Sequence, residues 1–259
     1  MQSSQLLARK IALITGSGRG IGKAIAIKLA NLGADIIVNY SRNRSQAEET
    51  SAIIKSMGRK AMIHKANISK EEEIKTLFDN ISNEFGKLDI LINNAASGFN
   101  RPLMEQKITG WDYTMNVNVR AAMLCSQASV PLMEKAGSGS IVNISSPGST
   151  RVLPDYIAVG SSKAALESLT RYMAVELAPK NIRVNAVSPG MVETEALKHF
   201  AIMAEKDITS RTIANTPMGR LVTPEDVAET VAFLCSPGAE MICGQVIVID
   251  GGFTLIVPK

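Results

Sequence analysis

The stretch "KIALITGSGRGIGKAIAIKLANLG" (10–33) decides the fold. It opens with an apolar run typical of a buried strand and crosses a turn carrying Gly16, Gly18, Gly20 and Gly22. It then takes up a 3.6-residue periodicity that stops at Gly33, a helix C′ residue. A glycine pattern alone is weak evidence, but one placed strand to helix is much stronger. The glycines permit a tight turn and close backbone approach, and the helix start offers unpaired N–H groups to a pyrophosphate. This reading assigns Gly16, Ser17, Gly18, Arg19, Gly20, Ile21 and Gly22 to a dinucleotide phosphate site. The plainer alternative is a turn whose glycines serve packing alone.

Outward from this unit the pattern repeats. Strands are expected at 10–16, 34–40, 60–66, 88–94, 140–146, 182–190 and 245–252, with helical periodicity between them. "SKEEEIKTLFDNISNEFG" (69–86) predicts a helix with Ser69 as N-cap and Glu72 completing a capping box. Thr223 and Pro224 predict another helix start, as N-cap and first helical residue. Apolar strands alternating with helices imply a parallel sheet covered on both faces. No linker, repeat or low-complexity segment divides the chain, so residues 1–259 are expected to form a single domain. The stretch 191–222, rich in Met, Thr and charges, is expected to be a flexible substrate lid.

Composition narrows the function. Hydrophobic residues make up 46% and charged residues 20%, the balance of an ordinary cytoplasmic globular protein. No run suits a signal peptide or a membrane span. Cys125, Cys235 and Cys243 lack metal-site spacing and read as buried free thiols; no metal site is expected. A formal net charge of +4 without any basic run argues against nucleic acid.

Strand two ends in "NYSRN" (39–43), where a carboxylate would read an NAD ribose. Tyr40 and Arg42 stand there instead, with Arg19 in the glycine turn. Two guanidinium groups suit a 2′-phosphate, so NADPH is the expected cofactor; solvated arginines are the alternative. Asn67 and Ile68 after strand three, and Asn94 and Ala95 after strand four, lie where adenine and ribose contacts are expected.

"PDYIAVGSSKAALE" (154–167) places Tyr156 and Lys163 at the start of a helix with six residues between them. Val159, four before the lysine, has no proton to give.

Taken in order, "TGSGRGIG", "NNAA", "NVNV", "SIVNISS", Tyr156 with Lys163, "VNAVSPG" with Thr194 and "GQVIVIDGG" resemble the short-chain dehydrogenase/reductase family over nearly the whole chain. The resemblance implies a Rossmann-like, doubly wound α/β domain with a seven-stranded parallel sheet, NAD(P) chemistry and a homotetramer. By motif position it implies that Asn118, Ser146 and Lys163 are active-site residues. It also implies that Pro189, Gly190, Val192 and Thr194 line the nicotinamide. The tyrosine departs from the family's usual place, position 159. Its displacement resembles the enoyl-acyl-carrier-protein reductases of bacterial fatty-acid synthesis, and "NNAASG" with "EALKHF" resembles their Bacillus-type enoyl reductase III subgroup.

The chemistry suits the shift. Hydride adds to C3 of a trans-2-enoyl thioester, whereas negative charge develops on the thioester oxygen two carbons away. A tyrosine farther along the cleft can stabilise that enolate and supply a proton. Lys163 would hold ribose hydroxyls, and Ser145 could share or replace the role of Ser146. The expectation is NADPH-dependent trans-2-enoyl thioester reduction with acyl carrier protein as partner. The rivals are a carbonyl reductase of the same family, 3-oxoacyl-carrier-protein included, and a non-catalytic NADP(H)-binding sensor. Met191, Met203 and Met218 suit an acyl channel or core filling equally. Lys198, Lys206, Arg211 and Arg220 suit an acidic carrier or plain solvation. His64 and His199 carry no metal or base signature, and Trp111 and Tyr113 read as packing residues.

Overall fold

The computed structural model describes residues 5–194 and 208–256. Seven parallel strands form one sheet in the order β3-β2-β1-β4-β5-β6-β7. They are β1 (Ile11–Ile14), β2 (Asp35–Tyr40), β3 (Ala61–Lys65), β4 (Ile90–Asn93), β5 (Gly139–Ile144), β6 (Ile182–Pro189) and β7 (Val246–Ile249). All seven expected strands are present. The described helices are α1 (Gly20–Asn31), α2 (Arg44–Ser56), α3 (Glu71–Phe85), α4 (Ile108–Met115), α5 (Ala121–Ala136), α6 (Ile157–Leu177), α7 (Ile208–Ala214) and α8 (Pro224–Leu234).

The two-residue period of the strands builds two cores. Ala12 and Ile14 of β1 face α1, α2 and α8; Ile11 and Leu13 face α3, α5 and α6. Each fully buried Leu or Ile contributes about 1.5–3 kcal/mol, so this alternation fixes which helix covers which face. Gly33 stops α1 with a φ of +103°, as its sequence position implies.

Two local expectations change. The capping box at 69–72 does not form, because Lys70 is the N-cap of α3. Asn67 Oδ1 instead accepts from the Ser69 amide and hydroxyl, while Glu73 accepts from the Asn67 amide at 2.7 Å. Asn67 binds its own turn better than Ser69 caps the helix. Thr223 does cap α8, in a capping box completed by Asp226. The stretch 191–222 is not one loop: it contains α7, and Val192 bridges Val222. Lys198, His199, Met203, Lys206 and the "EALKHF" motif lie outside the described residues. No helix among the described residues is long and apolar enough to cross a membrane.

Candidate functional site

The strand order reverses between β1 and β4, and their carboxyl ends open a crevice. Gly16 and Gly20 turn the chain there with φ of +66° and +54°, a region that glycine enters without a Cβ penalty. Gly22 is fixed by space. A methyl group on it would stand 2.5 Å from the Gly16 carbonyl oxygen and 2.6 Å from Asn94 Nδ2. α1 begins without a side-chain cap and without an acidic residue in its first turn, which leaves its first N–H groups for an anion.

Buried side chains hold this turn from beneath. Asn39 Oδ1 accepts from the Gly16 amide at 3.1 Å, and Asn94 Nδ2 donates to the Thr15 and Gly16 carbonyls at 2.8 and 3.2 Å. Thr15 Oγ1 accepts from the amides of Asn94 and Ala95, both at 3.0 Å. The residues present fit a dinucleotide pyrophosphate. Thr194, in the segment after β6, reaches the same place: a methyl on Gly20 would lie 3.7 Å from its Cγ2. Gly190, just past β6, packs closely on Asp250: a methyl there would stand 3.0 Å from the Asp250 Cβ.

Other expected cofactor residues fall into two groups. Arg19 and Arg42 are exposed and Tyr40 is half-buried at the turn and the end of β2, where a nucleoside phosphate could meet them. Ser17, Ile68 and Val192 turn inward. The Ser17 hydroxyl donates to the Ile14 carbonyl at 2.9 Å, and Ile68 and Val192 are buried in the two cores. These three offer a ligand only their backbone, because their side chains satisfy the fold.

The catalytic candidates meet at the carboxyl end of β5. α6 starts at Ile157, so Tyr156 is its N-cap, with φ −100° and ψ 14°, not a residue one turn inside. Asp155 before it takes a left-handed φ of +56°, and this corner swings the phenol to 3.5 Å from Ser146 Oγ. The ring lies over Gly148, where a methyl would come within 2.6 Å of it. Val159 is buried, and a methyl on Gly98 would stand 2.1 Å from its Cγ2. The usual tyrosine position is therefore a packed apolar contact. A pocket of about 180 Å³ opens beside it, lined by Phe99, Arg101, Lys107, Thr114 and Ala158.

Lys163 is buried, and its Nζ donates to the Ile144 carbonyl at 2.7 Å. Burial pulls its ammonium down to about 8, against the opposing influence of Glu167. Burial pushes the Tyr156 phenol up, the Ser146 hydrogen bond pulling the other way. At neutral pH the site thus holds a protonated phenol and a mostly charged lysine.

Asn118 lies in a π-turn, Asn116–Arg120, between α4 and α5. Its Oδ1 accepts from the Ser97 amide at 2.8 Å, and its Nδ2 donates to the Ser97 carbonyl at 3.0 Å and Ser162 Oγ at 2.9 Å. The side chain ties the loop after β4 to α6 and presents no donor to the cleft, whereas Asn116 is exposed. The structure thus brings Ser146, Tyr156 and Lys163 together, with Asn118 bracing them. Thr15, Asn39, Gly98, Gly148 and Glu167 were missed by sequence reasoning. Asn39 carried a signal, a polar residue inside an otherwise apolar strand; the glycines carried none, because their need arises from side chains that only the fold brings against them.

Residues 16–254 match the family model described as enoyl-(acyl carrier protein) reductase. The chain belongs to the short-chain dehydrogenase/reductase family, which this model describes in part. Among similar proteins, 1-cyclohexenylcarbonyl-CoA reductase of Streptomyces collinus is 36% identical over 250 residues, covering 96% of this chain and 89% of that protein. The structure of 7α-hydroxysteroid dehydrogenase with NADH and 7-oxo glycochenodeoxycholic acid superimposes with a TM-score of 0.91 at 37% identity, covering 97% of each chain. Gluconate 5-dehydrogenase from Burkholderia cenocepacia, with NADP and tartrate, gives 0.91 at 30% identity, covering 98% of this chain and 99% of that one.

Proposed function

We propose that this protein is an NADPH-dependent reductase of trans-2-enoyl thioesters, with acyl carrier protein as the thioester's bearer. The single observation that carries the reading is the rebuilt helix entry. Val159 fills the usual tyrosine position against Gly98, and the phenol enters from Tyr156, ahead of the helix. A bound nicotinamide would supply the hydride. The neutral Tyr156 phenol then faces the thioester oxygen, donates a hydrogen bond to the developing enolate and can deliver its proton. Lys163 spends one N–H on the Ile144 carbonyl and keeps two for the cofactor's ribose hydroxyls. Ser146 orients the phenol.

Two comparisons support the thioester. The family model carries an enoyl reductase description, and the Streptomyces relative's name specifies an unsaturated acyl thioester of coenzyme A. NADPH over NADH rests on Arg19 and Arg42, for which the described residues show no ion-pair partner.

A second reading has its own observation. The 3.5 Å approach of Tyr156 to Ser146 is also a pair that could polarise a carbonyl, as a 3-oxoacyl or other ketone reductase requires. Nicotinamide consumption with crotonyl thioester against acetoacetyl thioester separates the two. The proposed function expects turnover with the first; turnover with the second alone contradicts it. A non-catalytic sensor would show neither.

A further inference from the structure

The mechanism leaves the buried carboxylate beside Lys163 unused. Glu167 lies one turn beyond Lys163 on α6, and both side chains are buried, at 7% and 5% relative exposure. Residues four apart share a helix face. A buried carboxylate is costly unless its oxygens are bonded, and here the Ser145 hydroxyl donates to Glu167 Oε1 at 2.5 Å. Ser145 is the neighbour of Ser146 at the end of β5, and its amide is fixed by the Val187 carbonyl at 2.8 Å. The carboxylate is therefore anchored to the strand that carries the site.

We propose that Glu167, held by Ser145, is a positioning residue whose negative charge keeps the Lys163 ammonium charged inside the cofactor cleft. It does so without forming an ion pair. Lys163 Nζ is bound to the Ile144 carbonyl instead, so Glu167 supplies charge and consumes none of the lysine's donors. A contact pair would take one of the N–H groups needed by the cofactor.

No other charge around Lys163 does this among the described residues. β5 and the turn after it bring only hydroxyls and amides. The charged residue of β6, Arg183, sits at the opposite end and donates to the Leu234 and Ile242 carbonyls. Arg120 of the π-turn is paired with Glu71, Asp112 of α4 is exposed, and Lys180 after α6 is paired with Glu134. Tyr156, at the head of α6, is a neutral phenol.

The inference rests on the cofactor cleft of the proposed function and not on its enoyl specificity. It is tested on the full chain without cofactor, by NMR titration of lysines labelled with ¹³C at Cε, with Lys163→Met identifying the signal. Titration of Lys163 near pH 8 is expected in the native chain. Glu167→Gln should move its midpoint to lower pH by about 1 unit. At pH 8 the charged fraction then falls from about one half to about one tenth, so NADPH binding weakens about fivefold. Ser145→Ala should move both readouts the same way by less, and Glu167→Asp should restore most of the native behaviour. An unmoved midpoint in Glu167→Gln, or in Ser145→Ala if the glutamine variant does not fold, overturns the proposal even when thermal stability drops. A shifted midpoint without crotonyl thioester turnover leaves it standing and sinks the enoyl reading instead.

Discussion

The two ends of the cleft are built by different means. The cofactor end is made of backbone: three short stretches of chain are locked by Thr15, Asn39 and Asn94 into a surface that needs no reactive side chain. The catalytic end is made of a few side chains on a single corner, where Asp155, Tyr156 and Val159 set what can be protonated. A backbone cradle tolerates little change, because its glycines answer a left-handed turn or a fixed neighbour. A corner tolerates more, because a tyrosine moved by three residues keeps the fold and, in the proposed function, alters the chemistry. In the proposed function the first end specifies the class of cofactor, and the second selects the bond reduced.

The comparison can be broken at either end. The largest effect is expected from Tyr156→Phe, which removes a single donor to the oxyanion. kcat should fall roughly 10²–10³-fold, with NADPH affinity by fluorescence titration unchanged; a parallel loss of cofactor binding would mean the two ends are not separable. Gly22→Ala should do the reverse. Its methyl must displace the Gly16 carbonyl and Asn94, costing about 1–3 kcal/mol and roughly 10- to 100-fold in NADPH affinity.

Gly98→Ala tests the packed corner. The stiff, branched Val159 cannot withdraw, so about 1–3 kcal/mol of stability should be lost by denaturant unfolding. Val159→Ala in the same chain should recover most of that loss, and simple additivity of the two would show that they do not share this contact. Arg42→Ala, with Arg19 kept, should narrow the NADPH-over-NADH preference about tenfold, the size of one charge-assisted hydrogen bond. Smallest is the pH effect. Lys163 is charged below about 8 and neutral above it, so NADPH affinity should be flat at pH 6–7 and weaken as pH rises through 8. Affinity rising with pH would contradict the assigned charge.

The same contrast explains what could be read in advance. The order of strands and helices was legible because each strand is an apolar run and each helix has its own period, from "KIALITG" onward. The glycine turn was legible because backbone geometry dictates its residues locally. The inward turn of Ser17, Ile68 and Val192 was not, since motif position names a residue without saying which way its side chain points. The Ser69 cap failed because Asn67, two residues earlier, made the better turn. Motif position placed Asn118 at the site but did not say what its amide does there, which is to brace Ser97 and Ser162. Gly98 and Gly148 were invisible, being required by the packing of Val159 and Tyr156 that only the folded corner brings against them. Tyr156 itself was legible as displaced, but its return to Ser146 depended on a left-handed Asp155 that composition does not announce.

The central claim is that displacing the tyrosine selects a conjugated carbon–carbon double bond. Its most direct test is the rate of NADPH oxidation by the native chain with crotonyl and acetoacetyl thioesters of acyl carrier protein, measured side by side. The account predicts turnover of the crotonyl thioester, lost in Tyr156→Phe. Turnover confined to the acetoacetyl thioester, or crotonyl turnover untouched by that substitution, would contradict it.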